Sequence, residues 1–128
     1  MDETQARAAR RSRRSAIAAM RRTLVERFPR AFMAKGEKKL PLKLGIYHDI
    51  RLVAPELASV VLRNTLFDYT AGRTYLEALT TGAPRVDLDG WPSGQVTEAH
   101  ARDACTRLRK LDIPNSRKEQ NHAARPAA

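Results

Sequence analysis

The chain has 128 residues, with 24 Lys and Arg against 14 Asp and Glu, a formal charge of +10 at pH 7. That length supports one modest core rather than two, and the charge favours a polyanionic partner, nucleic acid before anionic membrane. A single cysteine, Cys105, excludes an intramolecular disulfide and a thiolate metal cluster and fits a reducing cytoplasm; no apolar run reaches the length of a membrane span.

The charge is unevenly spread. Residues 1–30 hold nine Arg against three acids, residues 31–90 hold eight bases against seven acids, and residues 91–128 hold seven against four. A near-neutral centre with basic ends predicts a folded module that grips a polyanion through selected residues, helped by arms that add sequence-independent attraction. The Arg-, Ala- and Ser-containing start superficially resembles an organelle transit sequence, but Asp2 and Glu3 weigh against that, and residues 1–14 read as a basic arm.

The first helix is predicted from about Thr4 to Phe28, with Ile17, Met20, Leu24 and Phe28 spaced for one docking face. Arg7, Arg10, Arg11, Arg13 and Arg14 precede that stripe with few acids to pair, and read as auxiliary phosphate contacts on a helical or frayed extension. Pro29 stops the helix, and Phe32 anchors the turn. Lys35, Lys38 and Lys39 then lie in a polar loop with Gly36, a further set of auxiliary contacts. From there Leu40-Pro41-Leu42-Lys43-Leu44-Gly45-Ile46 leads into a short helix covering roughly Ile46 to Val53. Lys43 stands where an anionic oxygen would meet a helix entrance, and unpaired amides near Gly45 and Ile46 would point the same way. The alternative is a lysine snorkelling at a core edge.

Pro55 suits the first turn of the next helix, extending to about Tyr69 with Ala58, Leu62, Leu66 and Tyr69 on one face. Gly72 interrupts it, and Arg73 to Leu79 forms a short helix with Leu76 and Leu79 inward and Tyr75 at a boundary. Arg85 to Gly94 reads as a β-hairpin: Val86 and Leu88 alternate with Arg85, Asp87 and Asp89, Asp89-Gly90 makes the turn, and Trp91 and Val96 return. The helices should cover its apolar face and leave the other, with Arg85 on or beside it, to a ligand; pairing of Arg85 with Asp87 or Asp89 is the structural alternative. Thr97 caps a last amphipathic helix carrying Ala101, Ala104, Cys105, Leu108 and Leu111 inward, which Pro114 ends. Residues 15–113 thus form one domain, and 114–128 an unordered tail.

His48 with Asp49, and His100 with Asp103 and Cys105, invite a metal or nucleophile, but no third convergent ligand or nucleophile elbow accompanies them, so neither an enzyme nor a metal or other cofactor is expected. A DNA-binding regulator of helix-turn-helix type is one reading within nucleic-acid binding, and a basic protein-interaction module is the alternative outside it.

An ordered set of short pieces carries a family resemblance. Arg27-Phe28-Pro29 with Phe32, Pro41-Leu42-Lys43-Leu44-Gly45-Ile46 with Asp49, Leu62, Arg63, Leu66, Tyr69-Thr70, Tyr75-Leu76, and Arg85-Val86-Asp87-Leu88-Asp89-Gly90 with Gly94 resemble the ProQ/FinO domain of bacterial RNA chaperones over roughly Leu24 to Leu111. The resemblance implies an α+β, mostly helical fold, about five helices around one small β-hairpin. It implies binding of structured RNA, a stem with a short single-stranded 3′ tail as in intrinsic terminators, and hence post-transcriptional regulation through small RNAs and mRNA 3′ ends, without catalysis. A cytoplasmic monomer is expected. By position, Lys43, Thr70, Tyr75 and Arg85 match residues of the family's RNA face, the entrance at Gly45 and Ile46 matches the place that receives a 3′ end, and Arg63 and Arg73 are further candidates. Two departures stand out: Thr74 replaces an arginine some relatives carry before the tyrosine, with Arg73 one residue earlier, and the stretch from Asp49 to Leu57 is short.

Overall fold

The structure, a computed structural model, describes residues 2–123, with side chains through Asp112. Five helices and one two-stranded antiparallel hairpin follow in the order α1 (Glu3–Arg27), α2 (Ile46–Val53), α3 (Ser59–Ala71), α4 (Arg73–Ala78), β1 (Pro84–Val86), β2 (Pro92–Gln95) and α5 (Glu98–Ala123). This is the mostly helical α+β arrangement expected from the sequence.

The basic arm is one piece with the first helix. Asp2 caps α1 by accepting the Gln5 amide at 2.8 Å, while the Gln5 side chain accepts the Asp2 amide in return, a reciprocal box that satisfies two otherwise open donors. No break falls at residue 14, so the helix runs 25 residues to its end at Phe28, before Pro29. Only its C-terminal half is anchored: Met20, Leu24 and Phe28 are buried, and an aromatic row continues inward from Phe28 through Phe32 and Tyr69 to Tyr75 with centroid spacings of 6.5, 5.2 and 5.7 Å. Tilted and edge-on contacts of this kind add to plain burial. Leu42, Ile46, Ile50, Leu62 and Val86 complete the core.

The central helix begins later than expected. Pro55 lies in the turn between α2 and α3 rather than in the first turn of α3, because Arg51 donates to the carbonyls of Pro55 (3.2 Å) and Leu57 (2.7 Å) and holds that turn closed. Likewise α5 continues past Pro114 to Ala123. Proline there costs one ladder bond, and the Arg-, Lys-, Glu- and Gln-bearing stretch that follows has good helix formers. The expected tail lies outside the described residues only from residue 124.

The hairpin does not stand alone. On its free edge Val86 bridges to Leu42 in parallel, with the Lys43 amide donating to the Val86 carbonyl (2.8 Å) and the Val86 amide to the Pro41 carbonyl (2.9 Å). At the turn Gly90 sits at φ 84°, where its missing side chain lets Arg30 approach; a Cβ would come within 2.7 Å of Arg30 Cβ. Three expectations about orientation are corrected here. Trp91 is 66% exposed, since it precedes β2 at the turn instead of lying on the packed face. Cys105 is exposed, because the buried stripe of α5 runs through Ala101 and Ala104. Tyr75 is buried at the end of the aromatic row rather than held at a boundary.

Candidate nucleic-acid interface

The entrance to α2 is the focus of the sequence-predicted residues. Gly45 caps this helix in the left-handed conformation, φ 82° and ψ 14°, with no side chain supplying a cap bond. That backbone is costly for any residue with a Cβ, which accounts for glycine at the bend. The Ile46 amide is not open as expected: the chain folds back so that it donates to the Lys43 carbonyl at 3.2 Å, and Ile46 itself is buried. Lys43 is partly exposed, and its ammonium pairs with Asp49 one turn into α2 at 2.8 Å.

Tyr75 and Arg85 reach the same place from α4 and β1. The Leu42 amide donates to the Tyr75 hydroxyl at 3.0 Å, and Arg85 Nη1 donates to the Leu42 carbonyl at 2.8 Å. Both polar groups of the residue before Lys43 are therefore fixed by side chains. Lys43, Gly45, Ile46, Tyr75 and Arg85 thus converge, but Arg85 is only 5% exposed and does not lie on an open face. The period-two pattern implied one solvated face; instead α5 packs there, and His100 on its first turn places Nδ1 3.1 Å from Arg85 Nη2. Neither Asp87 nor Asp89 pairs with it: Asp87 instead accepts the Asp89 and Trp91 amides, each at 2.9 Å, to shape the turn. With a carbonyl and an imidazole as partners, the guanidinium has no anion beside it among the described residues, and its Nε has no partner at all.

The remaining candidates scatter. Arg63 lies with its guanidinium 5.3 Å from the Tyr47 ring centroid, tying α3 to α2. Thr70 returns its hydroxyl to the Leu66 carbonyl of its own helix at 2.9 Å. Arg73 pairs with Asp112 at 2.6 Å, linking α4 to α5, and that bond raises the guanidinium above its usual range. Lys35 and Lys38 are exposed in the loop, whereas Lys39 is buried, donating to the carbonyls of Ala34 (2.8 Å) and Glu37 (2.6 Å) with its ammonium 5.7 Å from the Tyr69 ring centroid. Lys39 therefore closes its loop rather than presenting charge; burial, and then Arg21, push its pKa down. Arg10, Arg11, Arg13 and Arg14 are exposed along α1, and Arg7 is paired with Glu3 at 3.3 Å.

Sequence reasoning missed the acidic half of this region. A cavity of about 310 Å³ is lined by Lys43 together with Asp49, Asp87, Asp89, Leu52 and Val53. The Asp87-Leu88-Asp89 alternation signalled the hairpin, but the meeting of its turn with α2 is a tertiary event that periodicity does not report. His100 was missed in the same way: Thr97 Oγ1 accepts its amide at 3.1 Å, and this cap sets the turn that carries the ring toward Arg85. Among the described residues no three His, Cys, Asp or Glu side chains gather as a metal site, and no helix is long and apolar enough to cross a membrane.

A small, mostly helical domain around one hairpin is a fold with solved examples. The chain belongs to the ProQ/FINO family, whose model matches residues 14–125. It is similar to a ProQ homolog from Legionella pneumophila, whose solution structure superposes with a TM-score of 0.60 at 34% identity over 68% of this chain and 75% of that one. A crystal structure of a FinO-like RNA chaperone from Neisseria meningitidis shares the fold, with a TM-score of 0.58 at 23% identity over 71% of this chain and 92% of the other.

Proposed function

We propose that this protein is an RNA-binding chaperone that takes structured RNA, a stem followed by a short single-stranded 3′ tail, at the entrance of α2. The observation that carries the reading is Arg85: a buried cation without a counter-anion is costly, and its positive field is left for an anion outside the fold. Lys43, partly exposed and pinned beside it through Leu42, is the side chain that meets the phosphate, exchanging Asp49 for it. The carboxylates of Asp49 and Asp89 in the adjoining cavity suit ribose hydroxyl donors, a combination that favours an RNA end over a plain phosphate and over DNA. In this reading Tyr75 and Arg85 position the contact, and Arg63, Thr70 and Arg73 lie at its periphery. Exposed Lys35 and Lys38, with the α1 arginines, add sequence-independent attraction.

On the same reading the protein works as a cytoplasmic monomer on small RNAs and mRNA 3′ ends, in post-transcriptional regulation. The test compares a GC-rich hairpin bearing a 3′ tail with the blunt hairpin, an unstructured RNA and the same sequence as duplex DNA. Preference for the tailed hairpin, lost when its 3′ hydroxyl is blocked, is expected. Equal affinity for all four ligands would remove the basis for an end-specific site.

A further inference from the structure

The N-terminal half of α1 and the outer face of α3 form a groove that the α2 entrance does not use. A cavity of about 430 Å³ lies between Arg10, Arg13, Arg14 and Ile17 of α1 and Asn64, Phe67 and Asp68 of α3. It shares Arg14, Ile17 and Asp68 with a second cavity, of about 460 Å³, that continues along α1 past Arg21 and Arg22 to Lys35. Phe67 is 73% exposed, and Val60, about two turns earlier on the same helix, is 65% exposed. A single exposed apolar side chain is ordinary. Here, however, the exposed ring lies in a groove flanked by three arginines that make no ion pair among the described residues, and the one acid in the same cavity, Asp68, is already bound to Arg21 at 2.8 Å.

This groove is far from the first site. Phe28, near which α1 ends, lines the cavity that contains Lys43 and Asp49. Arg14 lies 14 residues (28 − 14) back along an unbroken helix, about 21 Å along its axis. An RNA 3′ end seated at the α2 entrance therefore does not itself reach Phe67.

We propose that the α1–α3 groove is a second RNA-contact surface, taking an unpaired strand with a base stacked on Phe67 and its phosphates held by Arg10, Arg13 and Arg14. The proposal rests on the reading of the protein as RNA-binding. Its chemistry follows from charge complementarity together with the aromatic ring: arginines alone attract any polyanion, whereas a flat exposed ring set among them adds a partner for a base that is already unstacked. A paired stem hides its base faces and would gain nothing from Phe67. Two such sites on one small domain would let it hold a folded RNA and a separate strand together.

The experiment uses the full chain, a tailed hairpin and a fluorescein-labelled 12-nucleotide oligouridine. With the hairpin bound to saturation, the wild type should still bind the oligouridine. Phe67→Ala should weaken oligouridine binding by roughly five- to hundredfold while shifting hairpin affinity less than about twofold. Phe67→Trp should retain binding and Phe67→Leu should lose it, separating stacking from simple apolar contact. Lys43→Ala should do the reverse, weakening the hairpin and sparing the oligouridine. The proposal is overturned if the hairpin displaces the oligouridine completely, or if Phe67→Ala binds it like the wild type, which would leave only a non-selective basic arm. It is also overturned if phosphatidylserine vesicles, and not oligouridine, respond to Phe67→Ala, since the groove would then face a membrane. If the wild type fails to bind the hairpin, the proposed function at α2 falls, but the oligouridine comparison still reads the groove.

Discussion

Arg85 donates to the carbonyl of Leu42 at 2.8 Å across 43 residues of sequence, from inside the fold. The consequence is that an arginine marked by its position as a ligand contact is also a strut for the segment that presents Lys43. Arg85→Ala should therefore lower stability by about 2 to 3 kcal/mol, since it leaves a buried carbonyl without a donor. Arg85→Lys should recover part of this, because an ammonium on a shorter reach serves one acceptor where the guanidinium serves two. Urea unfolding of the three proteins checks it; an unchanged midpoint for Arg85→Ala would show that the bond contributes nothing.

Tyr75 acts on the other polar group of Leu42. Tyr75→Phe removes the acceptor of the Leu42 amide and should cost about 1 to 2 kcal/mol in stability. It should also weaken tailed-hairpin binding, because Lys43 loses its fixed backbone. A hydroxyl that contacted RNA directly would lower affinity with no change in melting temperature, so measuring both quantities on one preparation separates the two roles.

On the proposed reading, an RNA phosphate competes with Asp49 for the Lys43 ammonium. Lys43→Ala should reduce affinity about tenfold and lower the slope of log affinity against log salt by roughly 0.7 to 0.9, the loss of one phosphate contact. Asp49→Asn frees the ammonium and should increase affinity for an RNA with a blocked 3′ hydroxyl. For an RNA with a free 3′ hydroxyl the gain should be smaller, because the carboxylate also serves as an acceptor. Fluorescence anisotropy titrations at several salt concentrations test both.

Tyr69 makes stability depend on alkaline pH. Its phenol accepts the Met33 amide at 3.0 Å, and burial pushes its pKa up from 10.0 to about 12. Below pH 10 both folded and unfolded chains keep this proton. Between about 10 and 12 the unfolded chain releases it first and binds fewer protons than the native state, so stability falls as pH rises. Lys39 has the opposite sign: its folded pKa lies below 10.5, so in the window between the two values the unfolded chain binds more protons, and stability rises with pH. Tyr69→Phe should flatten the fall between pH 10 and 12, as chemical unfolding across that range would show.

Local signals carried the elements well. Gly45 and the Val53-Ala54-Pro55 junction mark both ends of α2, Gly72 separates α3 from α4, and Asp89-Gly90 places the hairpin turn, because each depends on the backbone preferences of a few adjacent residues. Packing partners were another matter. Arg85 and Lys39 are charged residues on segments with a solvated look, yet α5 covers one and a loop closes over the other. Cys105 falls on the predicted inward stripe of α5 and Trp91 on the returning strand, yet both face solvent. No periodicity in one segment reports which second segment will lie against it, so burial of these four could be read only once the chain had been assembled.

The unbroken α1 has a further consequence, for spacing. Because nothing between Glu3 and Arg27 relaxes the helical screw, the direction in which Arg10, Arg13 and Arg14 point is fixed by counting residues back from Leu24 and Phe28. Inserting one alanine after Ser15 would swing all three by about 100° around the axis without changing charge or core, whereas a seven-residue insertion would restore their direction to within about 20° while moving them about 10 Å outward. The arm is thus a phased lever, and changes in its length should be tolerated in whole turns before they are tolerated in single residues.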